Sequence, residues 1–98
     1  MMIESHQMKS IEITVFGKVQ GVFFRSGCQS IAQQLGLVGF VQNNPDGTVT
    51  IQAKGPKKKI TELVNWAKNG PKYADVQRVE TQSLQDLNNP SLNAFVVL

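Results

Sequence analysis

The stretch Gly17-Lys18-Val19-Gln20-Gly21-Val22-Phe23-Phe24-Arg25 constrains this 98-residue chain more than any other. An alternating apolar run, Ile11, Ile13 and Val15, precedes it and reads as a strand. An amphipathic helical pattern follows from about Ser26. The stretch is therefore a strand-to-helix turn. Gly17 and Gly21 let its backbone take positive φ and approach a ligand closely. A helix N-terminus offers unpaired N–H groups and partial positive charge. Together these form a cradle for a tetrahedral anion. Arg25 adds a planar, permanently charged fork suited to phosphate oxygens. The plain alternative is a tight connection whose glycines serve only the turn.

Two better-known phosphate loops are excluded. A Walker loop needs Gly-Lys-Ser/Thr after four intervening residues, and no such hydroxyl for Mg²⁺ follows here. No Gly-x-Gly-x-x-Gly dinucleotide fingerprint occurs either.

The loop resembles the signature of the acylphosphatase family: glycine, any residue, Val-Gln-Gly-Val, any residue, Phe-Arg. It stands here as Gly17, Val19, Gln20, Gly21, Val22, Phe24 and Arg25. A second block of that family, Gly-aromatic-Val-x-Asn leading into a turn, stands as Gly39-Phe40-Val41-Gln42-Asn43 and then Asp46-Gly47-Thr48-Val49. Two blocks in order are far more specific than one glycine-rich loop. The resemblance covers 10–71 well and is looser after Arg78. It implies a ferredoxin-like fold and acyl phosphate hydrolysis. It implies further that Arg25 binds phosphate and that Asn43 positions water.

The rest of the chain supports the same architecture. Residues 1–9 are polar and aperiodic and are expected to form a flexible N-terminal extension; Met8 could be an alternative start. His6, the lone histidine, sits there, a poor place for a catalytic base. Residues 10–98 are expected to form a single domain, beginning with a strand over 10–16. A first helix is expected over 26–35, with Cys28, Ile31, Ala32 and Leu35 as its apolar stripe and Gly36 closing it. Cys28 reads as a small buried side chain rather than a reactive thiol. Gly27 is costly inside a helix and is expected to loosen the turn beside Arg25. Strands over 37–43 and 48–54 flank the turn Asn44-Pro45-Asp46-Gly47. In the second of them Val49, Ile51 and Ala53 should face inward and Thr48, Thr50 and Gln52 outward. Gly55-Pro56 opens a second helix with Ile60, Leu63, Val64 and Ala67 buried, and Gly70-Pro71 ends it. Lys57, Lys58 and Lys59 oppose the macrodipole there and read as a solvated patch, or as weak recruitment of an anionic partner. A strand over 74–82 has Val76 and Val79 three apart, the spacing of a bulge. A loop and a short edge strand over 94–98 complete the chain. The order β-α-β-β-α-β is the split βαβ pattern, an α+β sandwich of two helices on one face of an antiparallel sheet.

Several function classes fall away. The single cysteine excludes an internal disulfide and a two-cysteine metal or redox site. No His, Cys or carboxylate cluster has ligand spacing, so neither metal nor cofactor is expected. No run is long enough to cross a bilayer, and the N-terminus lacks an apolar signal core. A cytoplasmic monomer without a membrane partner is the expectation. A net charge of +3 favours anionic ligands but is too small to point to nucleic acid. An RNA-recognition module of the same order stacks bases on aromatics of its third strand, and Thr48 to Lys54 contains none.

The chemistry needed for a carboxylic–phosphoric anhydride is short. Its leaving carboxylate has a conjugate acid of pKa near ~4 and departs without a proton at neutral pH. The transferring phosphoryl group needs donors around its oxygens and a water placed in line. Backbone amides from Gln20 through Gly21 and Val22 to Phe23 and Phe24, with the Arg25 guanidinium, can hold the oxygens. Asn43 can orient the water through its side-chain amide. Its own alternative is a turn residue that only shapes the hairpin. Inorganic phosphate or sulfate should compete for the cradle. The competing functional class is an inactive anion-sensing or protein-interaction domain that keeps the loop.

Overall fold

The computed structural model describes residues 7–98. The first strand is longer than its apolar alternation suggests. β1 spans Met8–Lys18, so Met8 and Lys9 belong to the sheet and not to an extension. They are held by pairing: Met8 lies opposite Pro56 and Lys9 opposite Gly55. The rest of the expected extension, residues 1–6 with His6, lies outside the described residues.

Six further elements follow in the expected order: α1 (Phe24–Gln34), β2 (Val38–Asn43), β3 (Val49–Pro56), α2 (Lys57–Asn69), β4 (Asp75–Leu84) and β5 (Phe95–Val97). The sheet order is β4-β1-β3-β2-β5. β1, β3, β2 and β4 pair antiparallel, but β5 runs parallel to β2. The sheet is therefore mixed rather than wholly antiparallel. β1 and β2 both flank β3 antiparallel, so they point the same way and end at the same edge. That edge receives the loop 19–23 and Asn43.

Both helices cover one face of the sheet. Ile11, Ile13, Val15, Val49, Ile51 and Ala53 meet Cys28 and Ala32 from α1 and Ile60, Leu63 and Ala67 from α2. These stripes match the sequence periodicity at i, i+3 and i+4. α1 ends with Gly36 N–H donating to Gln33 at 3.0 Å and Leu37 N–H to Ala32 at 2.9 Å, the paired bonds of a Schellman cap. Pro56 closes β3 and is also the N-cap of α2, so the helix opens there as expected, with Lys57 its first residue.

Gly27 has a packing reason rather than a loosening role. A Cβ there would sit 3.1 Å from Cζ2 of Trp66. The missing side chain lets α1 approach α2, and Trp66 packs on Phe24 with ring centroids 5.1 Å apart. The irregular spacing of Val76 and Val79 is a bulge: Phe16 pairs with Arg78 but Gly17 with Val76, leaving Gln77 unpaired in the register.

The outward face of β3 departs from expectation. Gln52 points away from the helices yet is 1% exposed. The connection from β4 to β5 folds over it. Leu87 is buried there, the Asn88 N–H donates to Gln52 Oε1 at 2.9 Å, and Gln52 Nε2 donates to Glu12 at 2.9 Å. Pairing both the oxygen and the nitrogen of a buried amide offsets much of its desolvation cost. Thr48 is also buried, because it belongs to the turn network rather than to the open face.

Candidate active site

A cavity of about 350 Å³ opens at the edge where β1 and β2 end. Val19, Gly21, Phe23 and Phe24 line it from the loop and the start of α1. Arg25 and Ser26 follow on the first turn of α1, Asn43 comes from the end of β2 and Val97 from β5. Arg25 and Asn43, expected to act together, thus line one cavity although 18 positions separate them in the chain.

The loop is built by burying its valines and turning its backbone between them. Val19 is 1% and Val22 5% exposed, so both side chains anchor the loop in the core. Gly21 at φ 74° and Phe23 at φ 65° reverse the chain twice within three residues. For phenylalanine the left-handed region costs about 1–2 kcal/mol. Strain of this kind gathers at functional sites. Phe23 is also the N-cap of α1, and no side chain caps that end. The first-turn amides therefore lack a capping acceptor and lie beside the cavity. No acidic residue sits in that turn. The site offers donors and positive potential, which suits an oxyanion.

Three members of the expected cradle, Gly17, Gln20 and Val22, do not line the cavity. Gly17 lies within β1, where a Cβ would run into the carbonyl oxygen of Asp75 on β4. Its close approach is to a neighbouring strand. Val22 turns its side chain into the core, leaving only its backbone for a ligand. Gln20 has a further role that the sequence did not suggest. Its Nε2 donates to the carbonyls of Asn44 at 2.8 Å and Thr48 at 2.9 Å. The side chain pins the loop to the turn after Asn43.

That turn is self-supporting without Asn43. Asn44 Nδ2 donates to the hydroxyls of Thr48 at 2.9 Å and Thr50 at 2.7 Å. The Asp46 carboxylate accepts from Thr48 Oγ1 at 2.6 Å and from the Thr48 N–H at 3.0 Å. These bonds, the hydroxyl's first, hold Asp46 below the usual carboxylate pKa. Asn43 Oδ1, by contrast, is buried and has no hydrogen-bond partner among the described residues. An unpaired buried acceptor costs about 1–3 kcal/mol. The terminal torsion of asparagine is soft, so a small rotation can present this amide to the cavity.

Arg25 is held from the far end of the chain. Its Nη1 donates to the Leu98 carbonyl oxygen at 3.0 Å. Leu98 reaches this position because its N–H donates to Val41 at 2.9 Å, continuing the parallel pairing of β5 with β2. In the sequence the apolar run before Leu98 reads only as an edge strand. Cys28 is fully buried and burial pushes its thiol up to about 12, so it is not a nucleophile at neutral pH. Among the described residues no three His, Cys, Asp or Glu side chains group to hold a metal ion. Among them, too, no helix is long and apolar enough to cross a membrane.

Known proteins share this fold and much of this sequence. The description of the acylphosphatase family matches residues 11–96. Acylphosphatase-1 of Xenopus laevis is 45% identical over 97 residues, 98% of each chain. The acylphosphatase of Thiobacillus denitrificans is 42% identical over 73 residues, 74% of this chain and 82% of that one. The crystal structure of acylphosphatase from Bacillus subtilis superposes with a TM-score of 0.85 at 32% identity, covering 94% of this chain and 99% of that one. With the acylphosphatase family matched over residues 11–96 and Acylphosphatase-1 of Xenopus laevis aligned over 98% of both chains, the chain belongs to the acylphosphatase family, enzymes that hydrolyse acyl phosphates.

Proposed function

We propose that this chain hydrolyses acyl phosphates through the loop 20–24, Arg25 and Asn43. Amides from Gln20 to Phe24 and the Arg25 guanidinium hold the phosphoryl oxygens. Charge spreads over those oxygens in the transition state, so donors already in place stabilise it without reorganisation. The Asn43 amide orients a water in line with the anhydride bond. The water oxygen forms the new bond to phosphorus. The bond from phosphorus to the bridging oxygen breaks, and its electron pair leaves on the carboxylate. The water proton passes to a phosphoryl oxygen, so no protein base is required. The carboxylate is a good leaving group and needs no general acid. Both groups come from one chain, so a monomer suffices.

The observation that carries this reading is the unpartnered Asn43 Oδ1 beside the cavity that Arg25 lines. A hydrogen-bonding group without a partner in the protein is free to take up a water or substrate once its side chain rotates to face the cavity. Phosphate release from acetyl phosphate, measured with excess chelator, tests it. Release that survives chelation and is inhibited by sulfate supports the mechanism. Activity that disappears with chelation and returns with Mg²⁺ overturns it. Binding of inorganic phosphate without any release favours an anion-sensing domain instead.

A further inference from the structure

Phe23 presents a ring to solvent at the mouth of the site. At 72% it is the most exposed large apolar side chain among the described residues. It also holds a left-handed backbone, φ 65°, that glycine or asparagine would tolerate better. Exposure and strain thus fall on one residue, and the core gains nothing from its ring. Val97, from β5, lines the same cavity and is 38% exposed. The polar end of the cavity differs in depth: Asn43 Oδ1 is sealed from solvent.

In-line displacement places water and leaving group on opposite sides of phosphorus. Water held by the half-buried Asn43, whose Oδ1 is its sealed end, occupies the inner side. The acyl group then leaves towards the open rim. Its substituent meets Phe23 and Val97, the apolar side chains exposed there.

We propose that Phe23 sets the acyl preference of this site, so that an aromatic acyl phosphate is favoured over acetyl phosphate by contact with its ring. The inference rests on the acyl phosphate mechanism above and adds the substrate class. Contact between two aromatic rings contributes roughly three- to tenfold. Such contact needs the substrate's acyl group to be aromatic or extended and apolar. Acetyl phosphate is too short to use it.

The test compares kcat/KM for benzoyl phosphate with that for acetyl phosphate in the purified protein. Taking the ratio within each variant cancels any change in phosphate binding shared by both substrates. In Phe23→Asn, which tolerates the left-handed backbone, the ratio should fall about five- to tenfold. Phe23→Tyr keeps the ring and should hold the ratio within about twofold. Val97→Ser, on a separate element, should lower it in the same direction. An unchanged ratio in Phe23→Asn overturns the assignment while leaving the hydrolytic mechanism standing. Hydrolysis of neither substrate by the unaltered protein overturns both, a result distinct from the first.

Discussion

Gln20 Nε2 lies 2.8 Å from the carbonyl oxygen of Asn44, tying the loop to the residue after Asn43. The two asparagines divide the work at this turn. Asn44 makes the hydrogen bonds that hold the turn, and Asn43 Oδ1 makes none. Asn43→Ala should therefore bind inorganic phosphate as the unaltered protein does and turn over ~10²-fold more slowly, with its denaturation midpoint unchanged or raised. Asn44→Ala, losing the two bonds that Nδ2 donates and the weaker one that Oδ1 accepts from Gln42, should cost about 2 kcal/mol of stability. Phosphate affinity, kcat and denaturation midpoint on both variants check this. A large stability loss in Asn43→Ala with normal turnover per folded molecule would return Asn43 to a purely structural role.

Arg25 donates to Leu98 and faces the cavity, so its fork is held before substrate arrives. Arg25→Ala should lower kcat/KM on the order of 10³-fold. Arg25→Lys should recover little, because an ammonium cannot engage two phosphoryl oxygens while keeping the same geometry. Steady-state kinetics on acetyl phosphate measure both. Near-normal kcat/KM in a folded Arg25→Ala protein would remove the arginine from the mechanism.

Gly39 sits in β2 at φ 144°, and a Cβ there would meet the carbonyl oxygen of Gln52. Gly39→Ala should destabilise the protein by about 3 kcal/mol, the scale of backbone strain combined with overpacking. Urea denaturation reads the loss as a lowered midpoint. A midpoint equal to that of the unaltered protein would contradict the close strand approach.

Asp46 is held below its ordinary pKa by Thr48, through the hydroxyl first and then the backbone N–H. A depressed carboxylate pKa contributes stability that is fully present above the unfolded value, near ~3.9. That contribution is lost as pH falls through the folded value. Asp46→Ala should thus lower the thermal midpoint at pH 7, and the gap to the unaltered protein should narrow as the pH drops below about 4. Thermal melts at several pH values follow the gap. A gap that stayed constant down to pH 2 would show that the Asp46 charge is not involved.

Much of this protein is legible in its residues alone. Apolar spacing locates both helices and the main strands, because burying one face imposes a period of 2 or 3.6 on consecutive positions. The turn at Asn44 to Gly47 follows from local backbone preferences. The uneven valines of β4 disclose the bulge. Gly17 to Arg25 and Gly39 to Asn43 name the family, and Arg25 and Asn43 do share a cavity.

What the chain order does not disclose depends on partners distant in sequence. Gln52 has the outward position of an exposed strand residue, and only the folding of Leu87 and Asn88 across it makes it buried. Gly27 looks like a weak point in a helix until Trp66 occupies the space a side chain would take. Gln20 reads as one more amide of the loop, yet its side chain binds two carbonyls beyond β2. The direction of β5, and with it the contact from Leu98 to Arg25, is set by pairing with β2. Local periodicity records which face of an element is buried. It carries no record of what covers that face, because the covering atoms arrive from elsewhere in the chain only when it folds.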